Sequence, residues 1–248
     1  MTSQTLREIL AKSFLRFFSG SNGQFILVSR WPNTDWQALI EKFLELRNLC
    51  ITASLMPLFW IFVDIVFDNL GANPIQALHI RLGDWSLRFL CITLAITPIQ
   101  KIARWPRMAT YRQLFGLFTF FYASLHLLTY LTIDHALVWP IILIDIFEST
   151  YIWFGVMAYI VIFLLAITSP NSAKKKMGKS WKKLHRLIYP ASLAVIIHYF
   201  WQLKGNLLQP VFYATLVFLL LAFRIANWYK DRHLSKLMVP KGKPIDDD

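Results

Sequence analysis

Six histidines occur in the 248-residue chain, and two of them, His185 and His198, fall in one apolar run, Trp181 to Tyr199 (WKKLHRLIYPASLAVIIHY). Imidazoles inside a membrane helix are costly without partners, and a redox metal is a common partner for them. A helix rises 1.5 Å per residue, so His198, 13 residues after His185, lies about 20 Å deeper than the lysine-flanked start of the run. A second apolar run begins near Tyr111 and carries His126 at a similar depth. His126 and His198 are therefore predicted to be level on two different helices, as two axial ligands of one haem iron must be. A helix-to-helix hydrogen bond without a cofactor is the alternative. Phe120, Phe121, Tyr122, Tyr199, Phe200 and Trp201 either wall such a cofactor or are ordinary core and interfacial aromatics.

His185 has no histidine at its level. Arg112 and Gln113 occupy the matching depth, and Arg112 shares nearly the same helical face as His126, where it could meet a haem propionate. On an ideal helix His185 and His198 point about 140° apart, and Pro190 between them could bend that helix. His185 thus reads as the ligand of a second haem, as an exchangeable ligand or propionate contact at one shared site, or as a headgroup-facing residue beside Lys182, Lys183 and Arg186. Arg88, early in another apolar run, must snorkel or pair, and a propionate would satisfy its fork. Arg224 is expected to snorkel with no further role. His79 and His135 are expected in solvent-facing outer loops, and His233 in a basic tail.

The composition says which solvent surrounds these residues. With 56% hydrophobic residues, 20 Phe and 10 Trp, the chain has more apolar surface than a soluble core of its size needs, and lipid covers the excess. Its net charge of +12 does not indicate nucleic acid, because the Lys and Arg cluster in short segments between apolar runs, as the positive-inside bias requires. Cys50 and Cys91 fall at or within apolar runs and form no Cys-x-x-Cys motif, so they fill space. No cleavable signal pattern opens the sequence, and insertion is expected through the helices themselves.

The predicted fold is all-α, an integral membrane bundle of six transmembrane helices at 49–68, 84–100, 111–133, 148–168, 184–202 and 209–228. Residues 1–48 form an N-terminal cytoplasmic or interfacial extension, with helical patterns at Thr5–Phe18 and Trp36–Leu46. Residues 49–229 are the six-helix domain, and residues 230–248 a tail that is basic and then acidic. Lys101, Arg104, Arg107 and Arg112 follow the second span, and Lys174, Lys175, Lys176, Lys179, Lys182 and Lys183 follow the fourth. The segment after the third span carries Asp134, Asp145 and Glu148 without Lys or Arg. This alternation predicts a cytoplasmic location for both termini and both basic loops. No Gly-x-Gly-x-x-Gly or P-loop run is present, so electrons would have to come from another protein or carrier.

Four stretches together resemble a known family: GKSWKKLHRLIYPASLAVIIHYFW, FYASLHLLTYL, WSLRFLCITLAITPI and the GANPIQALH before it. They are similar to MsrQ, also called YedZ, the haem-binding membrane subunit of the bacterial protein-methionine-sulfoxide reductase system, within the ferric-reductase-like transmembrane superfamily. The resemblance covers about residues 49 to 232. It implies b-type haem, one or two, and an association with FMN. It also implies electron transfer in the bacterial inner membrane, from a cytoplasmic flavin reductase or the quinone pool to a periplasmic molybdopterin partner that reduces methionine sulfoxide. By position, His126, His185 and His198 match the family's three characteristic histidines, and Arg112 a basic residue at the head of the third span. A threonine-glycine pair usual before the second span reads Leu82-Gly83 here. Two other functions compete: a stand-alone ferric or quinone-linked reductase, and a non-redox scaffold or transporter whose histidines only pack.

Overall fold

The computed structural model describes residues 36–202 and 207–237, and among them all regular structure is helical. The patterns expected at Thr5–Phe18 and in the tail beyond residue 237 lie outside the described residues. Helix α1 (Trp36–Val66) joins the two segments expected separately around 36–46 and 49–68, because no Gly or Pro stands between them. Pro57 sits inside it without ending it. Left-handed backbone at Asp68 (φ 55°) and Gly71 (φ 87°) then turns the chain.

Helix α2 (Pro74–Ile102) starts ten residues before the expected residue 84. The side chain of Asn73 accepts the backbone N–H of Gln76 at 3.2 Å, and Pro74 follows at the first helical position, so GANPIQALH is a helix cap and first turns, not a loop. Leu82-Gly83 accordingly lies inside the helix and caps nothing. The charged residues that hide this start are neutralised by neighbours: Arg81 pairs with Asp64 of α1, and Arg88 lies 3.6 Å from Asp84 one turn earlier. Pro98 is also interior, and the helix runs on to Ile102.

Packing makes α2 the centre of the bundle. Leu82 and Phe89 pack with Ile61 of α1 and with Tyr122 of α3 (Ala109–Thr129). Leu87, Leu90, Cys91 and Leu94 pack with Val217 of the last helix, while Tyr189, Val195 and Tyr199 close over them. A helix buried on two sides in this way has no single polar face. Tyr122 is fully buried and donates to the Ser54 carbonyl at 2.8 Å, tying α3 to α1. Cys50 and Cys91 are both free thiols.

Beyond α3 a π-helical turn, Tyr130–Asp134, leads to α4 (Trp139–Glu148), a short helix where a loop was expected, with Ile142 its buried anchor. Then come α5 (Thr150–Ile167), α6 (Asn171–Met177), α7 (Lys179–His185), α8 (Ile188–Gln202) and α9 (Leu208–Leu237). The lysine-rich segment is folded into α6 and α7, which meet at Gly178 (φ 52°). Among the described residues, five helical stretches are long and apolar enough to cross a membrane: Glu45–Val66, Pro74–Ile102, Ala109–Asp134, Thr150–Ile167 and Leu208–Lys230. The single helix expected over 184–202 is split at Arg186–Leu187, leaving α8 with 15 residues. Pro190 falls in the first turn of α8, where a missing N–H costs nothing. His185 and His198 therefore lie on two separate helices, and the angle of about 140° on a continuous ideal helix does not relate them.

Phe59, Trp60, Phe62, Phe218 and Leu219 are among many large apolar side chains left exposed by the bundle, a surface suited to lipid. The polar bond inside the bundle is then the more valuable. Tyr122→Phe is expected to leave the Ser54 carbonyl without its side-chain donor and to destabilise the protein by about 1 kcal/mol, read as a lower thermal midpoint in detergent with unchanged helix content.

Candidate functional site

His126 on α3 and His198 on α8 meet between the helices, their ring centroids 6.3 Å apart and their planes at 85°. Each ring is held in the same way. His126 Nδ1 lies 2.9 Å from the carbonyl oxygen of His79 on α2, and His198 Nδ1 lies 2.8 Å from that of Tyr151 on α5. A carbonyl can only accept, so both Nδ1 atoms carry a proton and donate it. Both Nε2 atoms are left with a lone pair, the state in which an imidazole binds a metal, with its second N–H directed to a protein oxygen. This donor set fits a haem iron. Among the described residues no group of three or more His, Cys, Asp or Glu is placed to hold a metal ion.

Aromatic neighbours flank the two imidazoles. The His79 ring lies against His126, tilted by 36° with centroids 3.9 Å apart, and Tyr151 lies 5.8 Å from His198. His79 is thus no solvent-facing loop residue: it is in α2, its side chain is 13% exposed, and its Nδ1 is 3.8 Å from Asp134. His135 is likewise drawn inward, its ring tilted against Tyr130 at 4.4 Å and its Nε2 3.4 Å from Asp145. The proposed aromatic wall is divided: Tyr122 is taken by the α1–α2 core, Phe120 packs on Tyr159 and Phe163, Tyr199 on Tyr213, and Trp201 on Phe154.

His185 is kept apart from this pair, on α7. It stacks on Trp181 at 4.0 Å, and its Nε2 lies 3.1 Å from the Thr168 hydroxyl. That hydroxyl already donates to the Leu164 carbonyl at 2.6 Å, so Nε2 of His185 is the donor here, opposite to the other two histidines. Arg112 interacts electrostatically with His185, Tyr189 and Arg224, which places it at this end of the bundle. Arg88 donates to the Tyr213 hydroxyl at 3.0 Å and lies over the Trp85 ring at 4.5 Å. Arg224, expected only to snorkel, instead forks into the bundle. It donates to the Tyr189 hydroxyl, the Leu94 carbonyl and the Thr97 hydroxyl at 2.8, 3.0 and 3.0 Å. Desolvation explains the difference: one planar guanidinium satisfies three acceptors that lipid would leave bare.

His79 and Tyr151 are the site residues that side-chain reasoning misses, because their contribution is a backbone oxygen. Each lies 47 residues before the histidine it binds, a spacing that becomes visible only once the helices are packed.

Comparison with known proteins bears on the same residues. The sequence model of the family described as ferric reductase like transmembrane component matches residues 82–196, which include His126, His185 and Arg112 and end just short of His198. The protein-methionine-sulfoxide reductase heme-binding subunit MsrQ of Polaromonas naphthalenivorans is 41% identical over 204 residues, covering 79% of this chain and 93% of that protein. The subunit of the same name from Rhodospirillum rubrum is 41% identical over 180 residues, covering 72% and 86% respectively. This chain belongs to the MsrQ family. No solved structure matches it. As an MsrQ family member it has a ferric-reductase-like, all-α membrane bundle, with the paired imidazoles within it.

The three-way bond of Arg224 generates a test that separates forking from snorkelling. A snorkelling cation is replaceable by lysine, whereas Arg224→Lys is expected to lose at least one of the three acceptors and about 1–3 kcal/mol of stability, measured by thermal denaturation of the detergent-solubilised protein.

Proposed function

We propose that this chain is a haem b electron-transfer subunit of a protein-methionine-sulfoxide reductase system, with His126 and His198 as the ligands of one haem. The observation that carries the reading is the matched state of the two rings: 6.3 Å apart, each with Nδ1–H bonded to a helix carbonyl and Nε2 left for a metal. Family membership supports it, since the relatives are named heme-binding subunits. Bound haem supplies a centre that accepts and releases one electron at a time. The protein's own part is to hold two imidazoles in one tautomer, raise the basicity of each Nε2 through the bond at Nδ1, and keep water out with apolar helices.

The sulfoxide chemistry belongs to a partner, a periplasmic molybdopterin-containing reductase, and the electrons come from a cytoplasmic flavin reductase or the membrane quinone pool. In this reading the chain crosses the bacterial inner membrane six times within residues 49–229, with α8 as a short fifth span and residues 1–48 and 230–248 on the cytoplasmic side. The lysines of α6 and α7 and the acidic Asp134, Asp145 and Glu148 support that orientation. His185 and Arg112 then lie at the cytoplasmic end, where electrons enter, and Arg88 is matched by Asp84 and Tyr213 as part of the packing. FMN is carried to this chain by the family resemblance, and flavin fluorescence released from the purified protein tests it.

The decisive measurement is the reduced-minus-oxidised absorption spectrum of the purified protein with its haem stoichiometry. The wild type is expected to show a b-type spectrum. His126→Ala and His198→Ala are each expected to abolish the six-coordinate signal of that haem, and His185→Ala to retain it. A colourless, folded wild type overturns the reading.

A further inference from the structure

The two histidines are held by one device used twice. In each case the acceptor carbonyl belongs to a residue four positions before a glycine of the same helix: His79 and Gly83 on α2, Tyr151 and Gly155 on α5. Positions i and i+4 lie one above the other on a helix, and every Cα–Cβ bond tilts toward the helix N-terminus. A Cβ at position i+4 therefore leans over the carbonyl of residue i. In a helix that carbonyl is already committed to the N–H of i+4, and only its second lone pair remains for an outside donor. A ring that reaches this lone pair must come in through the space that the Cβ would fill.

The distances agree with that account. A Cβ built on Gly155 would stand 2.8 Å from His198 Nδ1 and 2.9 Å from its Cε1. A Cβ on Gly83 would stand 3.1 Å from both Nδ1 and Cε1 of His126. The first is closer than real side chains approach, and the second requires a neighbour to give way. Neither helix can retreat freely, because α2 is the buried centre of the bundle and α5 carries Tyr151, whose carbonyl sets the ring position. Gly116 on α3 provides the contrast: its added Cβ would make an ordinary 3.7 Å contact with Thr93.

We propose that Gly83 and Gly155 are positioning residues: each opens the lane through which His126 or His198 reaches a helix carbonyl, and so fixes the angle and tautomer of that imidazole. The inference rests on the haem reading above and adds to it the means by which the chain sets ring orientation. Its two halves, α2 with α3 and α5 with α8, place the device at the same 47-residue separation. The exception to the symmetry is the ring that lies beside each imidazole, His79 in one half and Tyr151 in the other.

The test is low-temperature electron paramagnetic resonance of the purified haem-loaded protein, whose g-anisotropy reports the angle between two axial imidazole planes. Gly155→Ala and Gly83→Ala are expected to shift the g-values, with haem retention falling about tenfold or more in Gly155→Ala, the size usual when a ligand loses its supporting hydrogen bond. Gly83→Ala, with the milder contact, is expected to fold and decides the matter if Gly155→Ala is not recovered. Gly116→Ala is expected to match the wild type. Wild-type g-values and haem content in both Gly83→Ala and Gly155→Ala overturn the proposal, as does an equal shift in all three variants, which would be a general response to alanine in these helices. A wild type without haem instead removes the haem reading itself, so the two failures are distinguishable.

Discussion

The structure depends on one constraint: in lipid, no polar atom can be left to water. The bundle meets it at several intramembrane polar groups with a named partner. Asp64 takes Arg81, Asp84 lies beside Arg88, the Ser54 carbonyl takes Tyr122, and Arg224 satisfies three acceptors at once. The two imidazoles are the informative case, because one nitrogen of each is satisfied by a helix carbonyl and the other is not used in that bond. At both rings it is Nδ1 that is bonded to the carbonyl. His185 shows the other pattern, with its Nε2 proton given to Thr168.

Helix α2 transmits this constraint through the molecule. It presents Gly83 and the His79 carbonyl to His126, Phe89 to Tyr122, and Leu90 and Leu94 to the α8–α9 side. The helix that supports one imidazole therefore also supplies the largest share of the buried core. Helix α5 does the corresponding work for His198, through the Tyr151 carbonyl and Gly155. A small residue at a membrane helix interface commonly lets two backbones approach. Here it lets a side chain approach a backbone.

Several elements were legible without coordinates. The apolar runs near 49–68, 111–133, 148–168 and 209–228 contain most of α1, α3, α5 and α9, because about twenty apolar residues are what a bilayer requires. The level of His126 with His198 followed from counting residues along two helices, and the rings do meet. The start of α2 did not follow, since Arg81 and Asp84 look like loop residues until Asp64 and Arg88 are placed beside them. The continuous helix over 184–202 failed for a similar reason. The turn at Arg186–Leu187 has no local breaker, and Pro190, which looks like one, is tolerated in the first turn of α8.

By itself the sequence determined the solvent, the shared depth of His126 and His198, and the family, because composition, depth and motif similarity are all one-dimensional properties. Tertiary structure alone decided which nitrogen of each imidazole is free. That choice depends on a backbone carbonyl 47 residues away and on a glycine one turn beyond it, and neither leaves a mark in side-chain chemistry. It also decided that His79 belongs beside His126 and that Arg224 belongs inside the bundle, since the partner of a polar group in lipid is settled only when the helices are packed.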